Sequence, residues 1–311
     1  MKTKYINIFF FSASIALCLF SSCSKKEGAL DRKQRIDFVS AVENHYENNA
    51  LTYVIDNYTA EDWHWDGKKM YRIDYGGDHQ YSENFFFDNH NRILRTTIPA
   101  YNIRNEFFYD GRQLERIEVF YKDEHYSTMS FVHDGKELTE IECSYLSDIE
   151  PDNPILAKKS SPLSLLFGNK VGELFSNTYC KTVRNGKSNA SVHYSLLWNE
   201  DNVTTIVYND GENTYNIEVT YDDKRNPYNQ LYGFREFSDP IFGFKMLSEN
   251  NVTSIRMPYD GKNQTFTYSY EYDGDYPSKR TLSYSYKSVN FYTLDSVMYK
   301  YEKAETFNYL D

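Results

Sequence analysis

The sequence has little cysteine, proline and glycine, and it has no excess of positive charge. Its 311 residues include 4 Cys, 8 Pro and 14 Gly, and 34 basic against 45 acidic residues give a formal net charge of -11. An acidic chain without a basic stripe or a glycine-rich phosphate loop is not suited to phosphate backbones, which excludes nucleic-acid binding. The sequence also has no CxxC pair, HExxH motif or complete calcium loop, so we expect no metal site and no cofactor.

Only one long apolar run occurs, and it lies at the start of the chain. The run Ile6–Phe20 has 15 residues, fewer than the about 20 that a helix needs to span a bilayer. It follows two lysines and precedes two serines and Cys23, a pattern that resembles a bacterial lipobox. We therefore expect residues 1–22 to be a signal peptide and Cys23 to be lipidated at the head of a tether over 23–29. Cleavage directly after the serines, without lipidation, is the alternative.

Two further cysteines, Cys143 and Cys180, belong to the mature chain. In an oxidising envelope they could form a disulfide, whereas two buried thiols would need no partner. Two cysteines define no framework, so the sequence leaves both readings open.

Aromatic residues are abundant, in contrast to the residues above. The chain contains 30 Tyr, 21 Phe and 3 Trp. A tyrosine ring packs against neighbours while its hydroxyl stays hydrated, which suits a half-buried pleated surface. This composition predicts an all-β protein.

A short unit recurs along the chain: an aromatic residue, a turn of Asp, Asn and Gly, and then two apolar residues about three places apart. The first four copies begin 22, 22 and 24 residues apart. That period is typical of one β-hairpin per repeat, and Asp-Gly turns supply the positive φ angles that tight hairpins need. The copies are WDGKKMYRI from Trp65, FDNHNRIL from Phe87, YDGRQLERI from Tyr109, HDGKELTEI from His133, WNEDNVTTI from Trp198, YDDKRNP from Tyr221, LSENNVTSI from Leu247 and YDGDYPSKR from Tyr272.

Residues between the turns alternate as a strand requires. In TFTYSYEY, Phe266, Tyr268, Tyr270 and Tyr272 share one face. We predict a single domain over 30–311, an antiparallel meander of 16 to 20 strands that is strongly curled or closed into a barrel.

One helix is predicted ahead of the meander. In the segment Leu30–Tyr46, the residues Ile36, Val39, Val42 and Tyr46 recur at helical spacing. This segment is therefore expected to form a short N-terminal helix.

Two long connections interrupt the repeat, near 146–178 and 222–251. Each contains Asn-Pro followed by a serine 22 or 23 residues later, which indicates two copies of one device. Four strands are predicted between them, ending near Val183, Trp198, Tyr208 and Tyr221. Each strand crosses the sheet once, so an even number of strands brings the chain back to the edge where it started. Both connections are therefore predicted to lie on one rim, opposite the Trp-Asp-Gly type of turn.

The second connection is the best candidate for a binding site, because long loops in compact proteins are often functional. Its aromatic rings could stack on sugars, and two tryptophans on one face of a strand could do the same. The alternative is that these rings fill a wide barrel as a plug, since buried apolar residues usually pack. The candidate ligand-binding residues are Tyr228, Tyr232, Phe234, Phe237, Trp63 and Trp65.

A catalytic arrangement is not apparent in the sequence. Asp148, Glu150 and Asp152 cluster, but a solvated acidic loop explains them without chemistry, and no Ser-His-Asp or Cys-His order stands out. We therefore expect a protein that is not an enzyme.

The lipobox at Cys23, the Tyr-Asp units, YDDKRNPY, LSENNVTSI and EYDGDYPSKRTLSY together resemble lipoproteins of Bacteroidetes that carry a porin-like β-domain of unknown function, and also YD-repeat proteins. The resemblance implies an outer-membrane, lipid-anchored protein, on either the periplasmic or the exposed face. It supplies no catalytic residues. Two functions are expected from this: a binding module for glycan or another nutrient, or a structural component that interacts with an envelope protein.

Overall fold

Sixteen strands account for nearly all of the chain that the computed structural model describes, which is residues 35–67, 69–77, 80–90, 92–135, 137–146, 191–228, 248–259, 262–289 and 296–310. A short 3-10 turn, Pro99–Tyr101, joins β5 to β6. The strands are β1 Ile36–Glu47, β2 Ala50–Asp66, β3 Lys69–Tyr75, β4 Tyr81–Phe87, β5 Ile93–Ile98, β6 Ile103–Asp110, β7 Gln113–Tyr121, β8 Glu124–Asp134, β9 Glu137–Tyr145, β10 Ser191–Asn199, β11 Asn202–Asn209, β12 Thr214–Arg225, β13 Asn250–Tyr259, β14 Lys262–Asp273, β15 Tyr276–Val289 and β16 Ser296–Tyr309.

The strands form one closed antiparallel barrel, in which each strand pairs with its neighbours in sequence and β1 pairs with β16. Ala41 lies opposite Glu305 and Glu43 opposite Lys303 across this closing pair. We call the end that carries the turn Asn48–Asn49 the upper rim, and the end that carries Gly111 and Gly135 the lower rim. The all-β meander is confirmed, and of the two forms that the sequence left open, curled or closed, the sheet takes the closed one.

Side chains alternate between an apolar interior and a charged exterior. On β6, Ile103 and Phe107 are buried, whereas Arg104 and Glu106 between them are partly exposed. Buried apolar side chains from all 16 strands form one continuous core. Full burial of one Ile or Leu side chain contributes about 1.5–3 kcal/mol, so this core is the main source of stability. The sequence pattern at Phe266, on β14, is confirmed, because its side chain is completely buried.

An aromatic residue near the lower rim, which in five of seven cases is the first residue of a repeat copy, has a specific structural role. Near the end of seven even-numbered strands, its ring N–H or O–H donates a hydrogen bond to a backbone carbonyl close to the start of the preceding odd-numbered strand, at 2.6 to 3.0 Å. We call this bond the aromatic clasp. The donor and acceptor pairs are Trp65 to Ile36, Tyr109 to Ile93, His133 to Leu114, Trp198 to Leu138, Tyr221 to Val203, Tyr270 to Val252 and Tyr309 to Pro277.

The Asp-Gly turns of the repeat take the backbone angles that their residues favour. Gly67, Gly111, Gly135 and Gly274 have φ angles of 60°, 58°, 61° and 63°. A Cβ atom makes this region costly for most other residues, so glycine fits these two-residue turns. The turns predicted from the sequence are thereby confirmed at these positions.

The predicted N-terminal helix is wrong where the structure describes it. Residues 30–34 lie outside the described residues, and Ile36–Glu47 is strand β1. A β-bulge between Ile36 and Phe38 shifts the alternation by one residue, so that Ile36 and Val39 are both buried and imitate helical spacing. Among the described residues, no helix has the length and hydropathy needed to span a membrane.

The prediction that both long connections share a rim is also wrong. β9 pairs directly with β10, so the first connection starts and ends at the upper rim. Three strands, β10 to β12, then carry the described chain to the lower rim, where β12 ends and β13 begins. The predicted additional strand near Val183 lies outside the described residues. The Asp-Gly turns do lie opposite the first connection, as predicted.

Candidate functional site

Polar side chains inside the barrel concentrate on the wall formed by β15, β16, β1 and β2. The opposite wall is mostly apolar, as Ile117, Ile141 and Ile206 illustrate. The buried polar residues on the remaining strands include Glu83, Thr96, Asn105 and Ser127. The strand registers bring the polar residues into rows, because Arg280 lies opposite Glu305 and Lys303 opposite Glu43. The inward residues of the polar wall include Arg280, Tyr284, Tyr286, Tyr299, Tyr301, Lys303, Glu305, Glu43, His45, Tyr53 and Tyr58.

Charges of alternating sign form a ladder along this wall. Arg280 Nε donates to Glu305 Oε2 at 2.7 Å, and Lys303 Nζ lies 3.1 Å from Glu305 Oε1. Arg280 and Glu305 are each only 7% exposed. Glu43 completes the ladder opposite Lys303 and accepts a hydrogen bond from the Tyr58 hydroxyl. The two cations and two carboxylates cancel, which makes burial of these charges tolerable.

Tyr58 and Lys303 both keep their protons at neutral pH. Burial raises the pKa of Tyr58, and its hydrogen bond to Glu43 raises that pKa further. Burial alone would lower the pKa of Lys303, but the nearby Glu305, Tyr58 and Glu43 outweigh it and raise that pKa. Tyr58 is therefore a neutral donor and Lys303 a cation at neutral pH.

Above the ladder, toward the upper rim, the wall becomes aromatic. Tyr286 and Tyr299 stack across β15 and β16 with ring centroids 5.2 Å apart and planes inclined by 18°. His45 lies 5.0 Å from Tyr301 and 5.5 Å from Tyr53. Exposure increases along this direction and reaches 57% at Tyr53. We call these five residues the tyrosine wall.

Tyr228, which the sequence suggested as an exposed binding residue, is instead part of the core. It is 3% exposed. Its ring centroid lies 6.3 Å from that of Trp63 and 6.1 Å from that of Phe307, and Arg280 lies 5.7 Å from the ring. A cleft with about 400 Å³ of empty space, including its open mouth, lies beside Tyr228 and is bordered by Tyr268. Tyr228 thus packs in the core instead of standing exposed, and the choice between plug and platform for the rest of the connection stays a prediction.

The repeat copies at Tyr221 and Leu247 hold the two ends of the second connection together. Asn226 Nδ2 donates to the carbonyl of Ser248 at 3.1 Å, and Asn226 Oδ1 accepts from the backbone of Tyr228 at 3.1 Å. The backbone N–H of Asn226 also donates to the carbonyl of Glu249 at 2.9 Å. Ser248 Oγ donates to the Tyr221 hydroxyl at 2.9 Å. These bonds explain why the Asn-Pro and LSENN motifs occur as a pair, and they position Tyr228.

Trp63 and Trp65 share the inner face of β2, as their alternation predicts, but they serve packing. Their rings stack at 6.2 Å. Trp63 is buried and its Nε1 donates to Glu61 at 3.1 Å, while Trp65 forms the aromatic clasp of its hairpin. Neither ring is placed as an open stacking surface.

Other predicted residues cannot be placed, because they lie outside the described part of the chain. Cys143 is buried, but its suggested partner Cys180 is not described, and the pairing stays a prediction. The same is true of Cys23, Tyr232, Phe234, Phe237 and the acids at 148, 150 and 152.

The tyrosine wall was missed by sequence reasoning, although a signal for it exists. Tyr284 and Tyr286, and likewise Tyr299 and Tyr301, alternate with polar residues in two segments that follow one another in the chain. Strands adjacent in a meander pair, so these tyrosines had to meet on one face. The sequence did not show that β16 also pairs with β1, which brings His45 and Tyr53 beside these tyrosines.

Neither a family model nor a curated protein matches this chain. A search of solved structures found a porin-like protein from Bacteroides uniformis, with 10% identity and a TM-score of 0.47, covering 88% of this chain and 97% of that one. It also found a porin-like protein from Bacteroides vulgatus, with 8% identity and a TM-score of 0.34, covering 88% of this chain and 98% of that one. The scores lie below 0.5, so the architecture stated above rests on this chain's own strand pairing.

Proposed function

We propose that this chain is a non-catalytic binding module of the bacterial outer membrane, anchored through lipid at Cys23, which takes a glycan at the tyrosine wall. The observation that carries this proposal is the stack of Tyr286 on Tyr299 at the upper rim, next to the exposed ring of Tyr53. Flat aromatic faces beside polar groups suit the apolar faces and hydroxyl groups of sugars. A binding role needs no acid and base pair, and the neutral ladder below the wall is consistent with that.

The outer surface supports a body that stands off the bilayer on its tether. Arg95, Glu106 and Glu118 follow one another across β5, β6 and β7 in register, on the outward face. An arginine on the lipid-facing side of a barrel costs about 2–4 kcal/mol at the bilayer midplane. A surface with these residues in mid-strand is suited to water, although single apolar side chains such as Phe86 and Leu94 are exposed as well.

The proposal is tested with a glycan-binding screen on residues 24–311, which include the whole barrel because it closes between β1 and β16. Binding is then compared for the wild type and for Tyr53→Ala and Tyr299→Ala. We expect each substitution to weaken binding from a few-fold to about tenfold, since an aromatic contact contributes about 0.5–1.5 kcal/mol beyond its buried area.

Tyr71→Ala is the matched control for this screen. Tyr71 is a tyrosine of similar exposure, 46%, that lies on the outside of β3 beside His64. The control should bind as the wild type does. Equal binding by all four proteins would contradict the tyrosine wall as the site, and no binding to any glycan would contradict the glycan class.

A structural role in contact with another envelope protein is the second candidate. The backbone of Gly76 bonds Ala60, and β3 pairs with β2 from Glu61 onward. Among the described residues, the β2 segment 50–59 therefore pairs on one side alone, with β1. Leu51 and Val54 in this segment are exposed. An open strand edge favours a protein partner. If this second role is the right one, Tyr299→Ala would lower the melting temperature and no glycan would bind to either the variant or the wild type.

A further inference from the structure

The outer face of the β2–β3 pair carries a cluster of groups that the functions above do not use. Because Trp63 and Trp65 point into the barrel, Asp62 and His64 on the same strand point outward. The β2–β3 register places Asp74 directly opposite Asp62. Three potential metal ligands thus come from two strands that are hydrogen-bonded to each other.

The ligand atoms lie close enough together to share one ion. His64 Nε2 is 2.8 Å from Asp74 Oδ2 and 3.8 Å from Asp62 Oδ2. All three atoms lie within 4.8 Å of one another. Ligands at about 2.1 Å from a tetrahedral zinc ion are roughly 3.4 Å apart, so small side-chain rotations bring the three to that geometry.

Neighbouring side chains already orient Asp74 for this role. Arg72 Nε donates to Asp74 Oδ1 at 2.7 Å, and Arg72 Nη2 donates to Ser82 Oγ at 3.0 Å. Arg72 therefore holds one carboxylate oxygen and leaves the other directed at His64. Such outer contacts fix the ligands in protein metal sites and tune their affinity.

The charge arrangement independently points to a cation. Two like charges directly opposite each other across a strand pair destabilise the pair, and Asp62 and Asp74 stand in that relation. Arg72 balances one of the two carboxylates. A divalent cation between the carboxylates and a neutral His64 would remove the remaining repulsion.

We propose that Asp62, His64 and Asp74 form a binding site for Zn²⁺, with three protein ligands and one position open to water. One imidazole and two carboxylates suit zinc, whereas calcium needs six to eight oxygen ligands. The site lies on the outer face of the sheet, away from the tyrosine wall, so it does not depend on the proposed glycan binding. The sequence analysis predicted no metal site because the motifs that it considered place their ligands close together in the sequence. Here the ligands come from two different strands.

Isothermal titration calorimetry tests this site. Zinc chloride is titrated into residues 24–311 in a buffer that does not chelate zinc. We expect one zinc ion per chain, and at least about tenfold weaker binding for His64→Ala and for Asp62→Asn. Both side chains lie on the outside and are partly exposed, 32% for His64 and 49% for Asp62. Both variants should therefore still fold without zinc, and Asp62→Asn, which removes the like-charge pair, should melt no lower than the wild type.

The matched control is His193→Ala. His193 is another outward histidine, 3.7 Å from Glu140 and opposite Glu142, but among the described residues it belongs to no group of three ligand atoms that lie close together. It should bind zinc as the wild type does, and calcium chloride should give no binding. Zinc binding that persists unchanged in His64→Ala, or the absence of saturable zinc binding to the wild type, would overturn the proposal. Calcium binding as tight as zinc binding would overturn the assignment to zinc.

Discussion

At the scale of single residues, one position of the repeat accepts Trp, Tyr or His because each places a hydrogen-bond donor at the end of a large flat side chain. In the aromatic clasp, Trp65, Tyr109 and His133 all donate to the backbone across their own hairpin. The equivalent residue on β4 is Phe87, which has no donor. The sequence displayed the aromatic repeat, but the shared donor became visible only through the geometry.

His133 makes the stability of the barrel dependent on pH. Its Nε2 donates to the carbonyl of Leu114 at 3.0 Å, and protonation of Nδ1 would add a charge to a partly buried ring. Burial lowers the pKa of His133, and the bond to Leu114 only partly opposes this. Because the unfolded histidine titrates near about 6.5, its contribution to stability is fully present above that pH and is lost as the pH falls toward the folded-state pKa.

We predict that His133→Tyr keeps the clasp and removes this pH dependence. The phenol of tyrosine stays neutral across this range. Urea unfolding at pH 7.5 and pH 5.5 should show a smaller loss of stability at the lower pH for the variant than for the wild type. Equal losses in both proteins would show that His133 is not the group responsible.

At the scale of elements, local pattern predicted strands and turns well but not their exceptions. The bulge at Ile36 and Phe38 imitated helical spacing on β1 because it places Ile36 and Val39 on one face. This segment forms a strand because its backbone pairs with both β2 and β16. Closure of the barrel overrides the local periodicity, and a short stretch of sequence carries no information about that closure.

The junction between β12 and β13 depends on one buried amide. Asn226 is 4% exposed, and its side chain bonds both Ser248 and the backbone of Tyr228. Asn226→Ala should lower the free energy of unfolding by about 1–3 kcal/mol, because buried polar partners lose their bonds. Hydrogen exchange at Tyr228 should accelerate in the same variant.

Asn209→Ala is the control for the junction. Asn209 Oδ1 accepts from the backbone of Gly211 at 2.7 Å in an exposed turn, where water can replace the lost bond. A cost of about 0.5 kcal/mol or less is expected there. A similar cost at both positions would mean that the junction at Asn226 does not hold Tyr228 in the core.

At the scale of the whole molecule, composition and alternation were sufficient to predict an all-β meander of 16 to 20 strands, curled or closed, and the described residues form 16. They were not sufficient to place the long connections. The rim on which each connection lies depends on the number of strands between them, and three described strands stand where four were predicted. They also did not locate the tyrosine wall, which exists because β16 pairs with β1 as well as with β15. Long-range closure is the information that a single sequence conceals.

Removal of β16, by ending the chain after residue 295, should abolish cooperative unfolding. The open sheet would expose the buried side chains of Ile36, Val39 and Ala41 on β1. We expect increased binding of a hydrophobic dye and a broad thermal transition. Removal of only the last two residues, which follow β16, should leave the sharp transition intact. A sharp transition in the shorter chain would show that closure is not needed for the fold.

The closing pair has a practical consequence for handling the protein. The backbone N–H of Leu310 donates to the carbonyl of Arg35 at 2.8 Å, so the chain enters and leaves the barrel at neighbouring points of the lower rim. A tag or biotin attached after Leu310 therefore fixes the molecule to a sensor chip by the end opposite the tyrosine wall. Immobilised in this way, every molecule presents the tyrosine wall to the flowing solution.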